Sequence, residues 1–248
     1  QVDINEKLYP VYMSRLDESQ QQLELFLRQG PANTEIRNHL ATIYRWRGWP
    51  RKSQRQIDLI HSSEPAFLSA QTNAIYNDIA IYDYQEIDSK IDRLEKNHYR
   101  SSQVESLKKD WQLEKMASIE VTASAAQASG SRFSSRDNTL EGRLTSALFN
   151  QHFRLFTRAL YKTNNQTQGG SFKRLGLGAQ WRSRNIELSS EASQSSSGGN
   201  AGLAVAASWL KDDHWTLAAE LQSYSDQTPL RAFALDIKMS DVHGWVQI

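Results

Sequence analysis

The chain contains no cysteine in 248 residues. That absence excludes a disulfide framework, a zinc ribbon and a thiol nucleophile together. The six histidines, His39, His61, His98, His152, His214 and His243, are scattered and form no pair at metal-ligand spacing. No metal and no cofactor is therefore expected. Charge of one sign is also missing: 29 basic residues face 28 acidic ones, with 16 against 17 up to Met116 and 13 against 11 after it. Neither half is a polycation, so nucleic acid is not an expected partner. No run reaches the roughly 18 apolar residues that a membrane-spanning helix requires. Strands remain possible, because a spanning β-strand needs only about 9–11 alternating residues and keeps mean hydropathy low. No basic and then apolar leader follows Gln1, and the chain is expected to be a segment of a longer precursor.

What is present is a change of hydrophobic period near Met116. Before it, apolar residues recur three and four apart, as in Leu40, Ile43, Tyr44 and in Ile57, Ile60; after it they alternate, as in Trp215, Leu217, Ala219, Leu221. The reading is an α + β two-domain chain. Residues 1–115 are expected to form a tetratricopeptide-like (TPR) α-solenoid of helical repeats with a capping helix. Residues 116–248 are expected to form the first part of an antiparallel transmembrane β-barrel, about eight to nine strands of a larger one.

The helical half carries a repeat. Pro31 and Pro65 lie 34 residues apart, and Ser19, Gln20, Gln22 and Leu25 recur as Ser53, Gln54, Gln56 and Leu59. A period of about 34 belongs to the tetratricopeptide repeat. The unit between the prolines resembles that family, with Leu40 and Ala41 at its Leu-Gly pair, Tyr44 at its aromatic position, Gly48 at the turn and Ser53 at its small-residue position. A degenerate unit follows with Ala74, Ile87, Ile91 and Leu94, and residues 101–115 read as the helix that closes the array. The resemblance implies a protein-binding groove along the first helix of each pair. Mapped onto it, the positions expected to be exposed are Asn38, Thr42 and Arg45, then Ser69, Thr72 and Tyr76. Solvated faces of amphipathic helices are the other reading of the same residues.

In the second half, runs 117–128, 139–149 and 153–161 open a series in which long polar connections near 130–137, 163–170, 193–200 and 225–231 alternate with short ones at 150–152, 183–185, 211–214 and 241–244. Outer-membrane barrels sort their loops in this way, with short turns on the periplasmic side. The helices, which precede the first strand, are then expected in the periplasm. Leu175, Leu177, Ala179 and Trp181 alternate with Arg174, Gly176, Gly178, Gln180 and Arg182, giving one face for lipid and one for water. Trp181, Trp209, Trp215 and Tyr161 fall near strand ends, where an aromatic girdle sits. A soluble antiparallel sheet would share the alternation. The expected lumen-facing charges are Glu141, Arg143, Glu187, Glu191, Glu220 and Asp236, together with Arg154, Arg158, Arg174 and Arg182. They read either as weak successive contacts for a moving chain or as cross-strand pairs.

The segments Trp181-Arg-Ser-Arg184, Asp212-Asp213-His214-Trp215 and Asp226-Gln-Thr-Pro-Leu-Arg231 resemble the PgaA/HmsH family of outer-membrane porins that export poly-β-1,6-N-acetyl-glucosamine, a biofilm polysaccharide. The resemblance covers the whole segment, although Gln227 and Phe233 depart from the family's form. It implies passive export of a partly deacetylated glycan, periplasmic repeats that engage a polysaccharide deacetylase, and a barrel whose outer face meets outer-membrane lipid. No nucleophile, base and orienting group come together, so an enzyme is not expected. A secretion or assembly module whose repeats recruit a protein client is the alternative.

Overall fold

The computed structural model describes residues 15–128, 135–164, 171–195, 201–223 and 241–247. Among the described residues six helices come first: α1 (Leu16–Gln29), α2 (Thr34–Trp46), α3 (Pro50–Ser63), α4 (Leu68–Ala80), α5 (Ile87–Asn97) and α6 (Ser102–Lys115). Eight strands follow among the described residues: β1 (Ser118–Ala128), β2 (Ser135–Thr145), β3 (Phe153–Asn164), β4 (Ser171–Ser183), β5 (Ile186–Ser195), β6 (Ala201–Leu210), β7 (Thr216–Gln222) and β8 (Asp241–Gln247). The chain separates into two compact units. One holds the helices up to Gln112 together with Leu210–Trp215, and the other holds Leu113–Trp209 and Thr216–Gln247.

In the first unit the helices form because their apolar residues return on one stripe, and they stop where local chemistry ends them. Asn33 caps α2, its side chain accepting from the Ile36 N–H at 3.0 Å. Gly48 takes φ +77° at the turn out of α2, a conformation that glycine adopts without strain, and Pro50 opens α3 at a position that needs no N–H partner. Leu23, Leu40, Ile43 and Tyr44 form one core cluster; Ala41, Ile57, Ile60 and Ala70 form the next. Ser53 is fully buried, and its small side chain lets neighbouring helices approach. Each buried isoleucine or leucine in such a cluster contributes about 1.5–3 kcal/mol. The α3 N-terminus receives its cap from far along the chain. The Asp213 carboxylate accepts the N–H groups of Arg51 and Lys52 at 3.0 and 2.6 Å, beside a Trp49–His214 ring contact at 5.2 Å.

Helices α2, α4 and α6 start at residues 34, 68 and 102, so the 34-residue period continues into α6. The helix read as a cap therefore occupies the same place as α2 and α4. Two bonds mark the equivalence: Ser69 Oγ donates to Gln103 Oε1 at 3.2 Å and Tyr76 Oη to Asp110 Oδ2 at 2.6 Å, each across 34 residues.

In the second unit the strands pair in chain order as one antiparallel sheet, β1 to β8. Among the described residues no pairing joins β8 to β1, so the sheet is an open wall. The outward side chains are apolar and bare: Ile119 is 76 % exposed and Leu177 67 %. The inward face buries Phe156, Leu160, Phe172 and Arg174. Three of these are apolar, so the inner face carries packing residues as well as charges. Trp181 pairs with Phe153, and Trp209 with Ile186, at the same end of the wall, so these tryptophans do gather in a row.

The expected sorting of loops is not what the strand ends show. Six residues separate β1 from β2 and seven separate β2 from β3. The β1–β2 ladder runs on to Ala128↔Ser135 because polar residues outside an apolar band can still pair, while β2 stops at Thr145 instead of 149. The two-residue turn Arg184–Asn185, both at positive φ, is the short connection expected between β4 and β5. Residues 241–244, expected as a turn, belong to β8 and pair with β7, as in Gln222↔Asp241. The expected strand at 232–240, the loop at 225–231 and the segment Asp226–Arg231 lie outside the described residues.

The passage from α6 to β1 is closed by Arg154. This buried side chain donates to the carbonyls of Met116 at 3.1 Å, Ser146 at 3.4 Å and Glu114, and lies 3.5 Å from the Glu114 carboxylate. Carbonyls at a helix C-terminus have no intrahelical donor and carry negative partial charge, so a guanidinium is well matched to them. Arg154→Met is expected to cost about 1–3 kcal/mol, because it leaves these acceptors without their donor; a lower urea midpoint for the full chain in detergent checks this. In the helical unit, Tyr44 Oη donates to Glu24 at 2.9 Å, and burial, with that carboxylate, pushes its pKa up to about 12. The folded value lies above the ordinary 10.0, so this contribution is complete below pH 10 and is lost as pH rises toward 12. Far-UV circular dichroism under alkaline titration should show helix loss in that window for the wild type, reduced in Tyr44→Phe.

Candidate functional site

Two regions gather the residues that the sequence singles out. The first is the inward face of β2 to β5. Antiparallel register places Arg143 opposite Arg158, and Gly178 opposite Glu191. Alternation then turns Glu141, Arg143, Phe156, Arg158, Arg174, Glu187 and Glu191 to one side. Arg158 lies between two acids, 2.7 Å from Glu141 and 3.7 Å from Glu191. Arg182 pairs with Glu187 at 3.0 Å, and Gln180 bonds the same carboxylate. Arg174 donates to Ser193 Oγ at 3.0 Å. The Arg143 guanidinium lies over the Phe156 ring at 4.0 Å. Glu220 stands in the inward register of β7 and accepts from Gln222. Asp236 lies outside the described residues.

Two glycines make this packing possible. A Cβ at Gly176 would collide with the Glu191 carboxylate, and one at Gly178 would collide with the Phe156 ring and the Ser190 carbonyl. The wall therefore presents acids and bases already matched to each other, over a floor where a ring fits into the space of a missing side chain. Arg154, expected among the lumen charges, instead serves the helix end. Phe156, Gly176 and Gly178 were not singled out as functional; the alternation of glycine with Arg174 and Gln180 was the available signal.

The second region lies along α2, α4 and α6. Asn73 Nδ2 donates to Asn38 Oδ1 at 2.9 Å and to Thr42 Oγ1 at 3.0 Å. The Arg45 guanidinium stacks on the Tyr76 ring at 4.6 Å, and Tyr76 in turn holds Asp110. Burial and the Asp110 bond raise the Tyr76 hydroxyl far above its ordinary value, and burial lowers Arg45. Asn38 and Thr72 are buried, which corrects the expectation that these positions are exposed. Three equivalent helices approach closely enough for their polar residues to meet, so the row is a hydrogen-bonded seam. Asn73 and Asp110 were missed, and the 34-residue step from Tyr76 to Asp110 was the signal for the latter.

Residues 113–248 match the family model described as the PgaA membrane beta barrel domain. The chain belongs to that family. Two curated relatives, each named poly-beta-1,6-N-acetyl-D-glucosamine export protein, come from Escherichia coli strain K12 and Escherichia coli O157:H7. Each is 20% identical over 240 residues, covering 95% of this chain and 30% of the relative. The chain thus spans about a third of the length of the curated relatives it matches. No solved structure matches it. The bare apolar outer face and the family membership place the strands of this PgaA-family chain in an outer-membrane barrel wall.

Because the Gly178 site is filled by the Phe156 ring, Gly178→Val forces that ring or the β5 backbone to move. A loss of about 1–3 kcal/mol is expected from such overpacking, read as a lower temperature at which the folded full chain in detergent loses its compact electrophoretic mobility. Ala218→Val, on the inward register of β7, serves as the comparison.

Proposed function

We propose that this chain is the junction segment of an outer-membrane porin that exports partly deacetylated poly-N-acetylglucosamine. The strands supply part of the wall of a larger closed barrel, and the helix pairs form a tetratricopeptide-type solenoid on the periplasmic side. The observation that carries this reading is the matched inner wall, seen with relatives named for export of that polymer. A permeating polymer must find contacts that are favourable enough to enter and weak enough to leave. Glu141, Glu187 and Glu191 can meet glucosamine ammonium groups, but Arg158 and Arg182 already compete for them. Each contact is then an exchange of partners rather than a tight site. Arg143 and Glu220 extend the same polar lining, and Asp236 is assigned to it by sequence alternation.

The α2–α4–α6 row is the proposed docking surface for the periplasmic deacetylase. Its support is the three-fold repetition of one helix type, which gives Thr42, Arg45 and Tyr76 fixed positions before any partner arrives, with the buried Asn38 holding the row from behind through Asn73. Preorganised side chains lose less entropy on binding. No catalytic step is assigned to the chain, and the relatives' name describes export.

The test is deletion of the full-length gene, with complementation. Export predicts loss of surface polymer with polymer held in the periplasm, and recovery on complementation. Normal surface polymer in the deletion strain overturns the reading. Loss of a secreted protein client with normal polymer assigns the chain to protein secretion or assembly instead. With export established, Arg45→Ala with Tyr76→Ala is expected to lower deacetylase recovery in pull-downs while leaving the barrel's folded mobility unchanged.

A further inference from the structure

The helical unit holds a second concavity that neither the inner wall nor the α2–α4–α6 row uses. It has a volume of about 330 Å³, at the low end of the range for small-ligand pockets. Its walls are helical stripes: Gln71, Ala74, Ile75 and Asp78 from α4 recur at steps of three, one and three, and Lys90, Arg93, Leu94 and Asn97 from α5 repeat that spacing. Gln54 and His61 of α3, seven residues apart, complete it. The pocket faces away from Thr72, Asn73 and Tyr76, which lie on the other side of α4.

The charge of its lining is unbalanced. The amides of Gln54 and Gln71 are already committed, to Asp58 and to the Pro65 carbonyl at 2.8 and 2.7 Å. Asp78 is matched by Lys90 at 2.8 Å. What remains uncommitted are the exposed Arg93 guanidinium, the Asn97 amide and the ring of His61, whose Nε2 is buried with no partner among the described residues. Lys90 and Arg93 against Asp78 leave one cation in surplus. Ala74, Ile75 and Leu94 supply an apolar floor. A surplus of one positive charge over an apolar floor calls for an anionic acceptor carried on an aliphatic stem.

We propose that this pocket between α3, α4 and α5 binds a carboxylate of a protein partner, held by the Arg93 fork with His61 Nε2 and Asn97 completing its oxygen contacts. A guanidinium suits a carboxylate because its planar fork makes two parallel bonds. The site stands on the helical unit alone and goes beyond the export reading. It is also separate from the row proposed to meet the deacetylase.

The test uses the full chain in detergent and three peptides followed by calorimetry: N-acetyl-Glu-Glu, N-acetyl-Glu-Glu-amide and N-acetyl-Gln-Gln-amide. Saturable binding is expected for at least one of the acidic peptides and not for the neutral one. Binding should weaken about tenfold or more in Arg93→Gln, the loss of one charge-assisted bidentate contact. Binding of both acidic peptides assigns an acidic side chain as the ligand; binding of the free-terminus peptide alone assigns a chain terminus. Arg93 and Asn97 are exposed, so Arg93→Gln and Asn97→Ala should keep the wild-type circular dichroism. Equal binding of the neutral peptide, unchanged affinity in both variants, or no binding by either acidic peptide overturns the proposal.

Discussion

A helix that runs straight into a strand leaves its last carbonyls without partners, and the structure depends on how that debt is met. Here one buried guanidinium meets it. Arg154 comes from the first residues of β3 yet reaches back to Glu114, Met116 and Ser146. Leu148 adds a backbone bond to the Lys115 carbonyl at 2.9 Å. The connection 146–152 supplies two of these partners, Ser146 and Leu148.

The same economy of polar groups governs both candidate regions. On the inner wall, Arg158 serves two acids on two different strands, and glycines open room for a carboxylate and a ring. Along α2, α4 and α6, asparagine, threonine, arginine and tyrosine side chains hold one another in place. Buried polar groups left unmatched are costly, so networks of this kind fix one arrangement among many. A wall whose charges are matched suits transient contact with a passing chain. The pocket between α3, α4 and α5 is the opposite case, because its lining carries one cation more than its acid matches.

Much of the architecture was legible as periodicity. The steps Leu40, Ile43, Tyr44 and the alternation through Leu175 and Leu177 each declare their element, because a helix and a strand expose side chains at different intervals. The 34-residue recurrence of Ser53 and Pro65 set the helix pairs. The inward set Glu141, Arg143, Glu187 and Glu191 followed from parity alone. Strand ends were harder to read, as β2 and β8 show, since polar residues beyond an apolar band extend a ladder or leave it at similar cost.

The sequence by itself therefore determined where the period changes, which face of each element is apolar, and the family to which the strands belong. Only the tertiary structure decided who bonds to whom. That Asn38 and Tyr76 are held within a seam, that Arg154 serves a helix end rather than a pore, and that Asp213 caps a helix about 160 residues earlier depend on contacts distant in the chain. Periodicity is a local property of successive residues, whereas satisfying a buried polar group is settled by whichever partner the fold brings within about 3 Å.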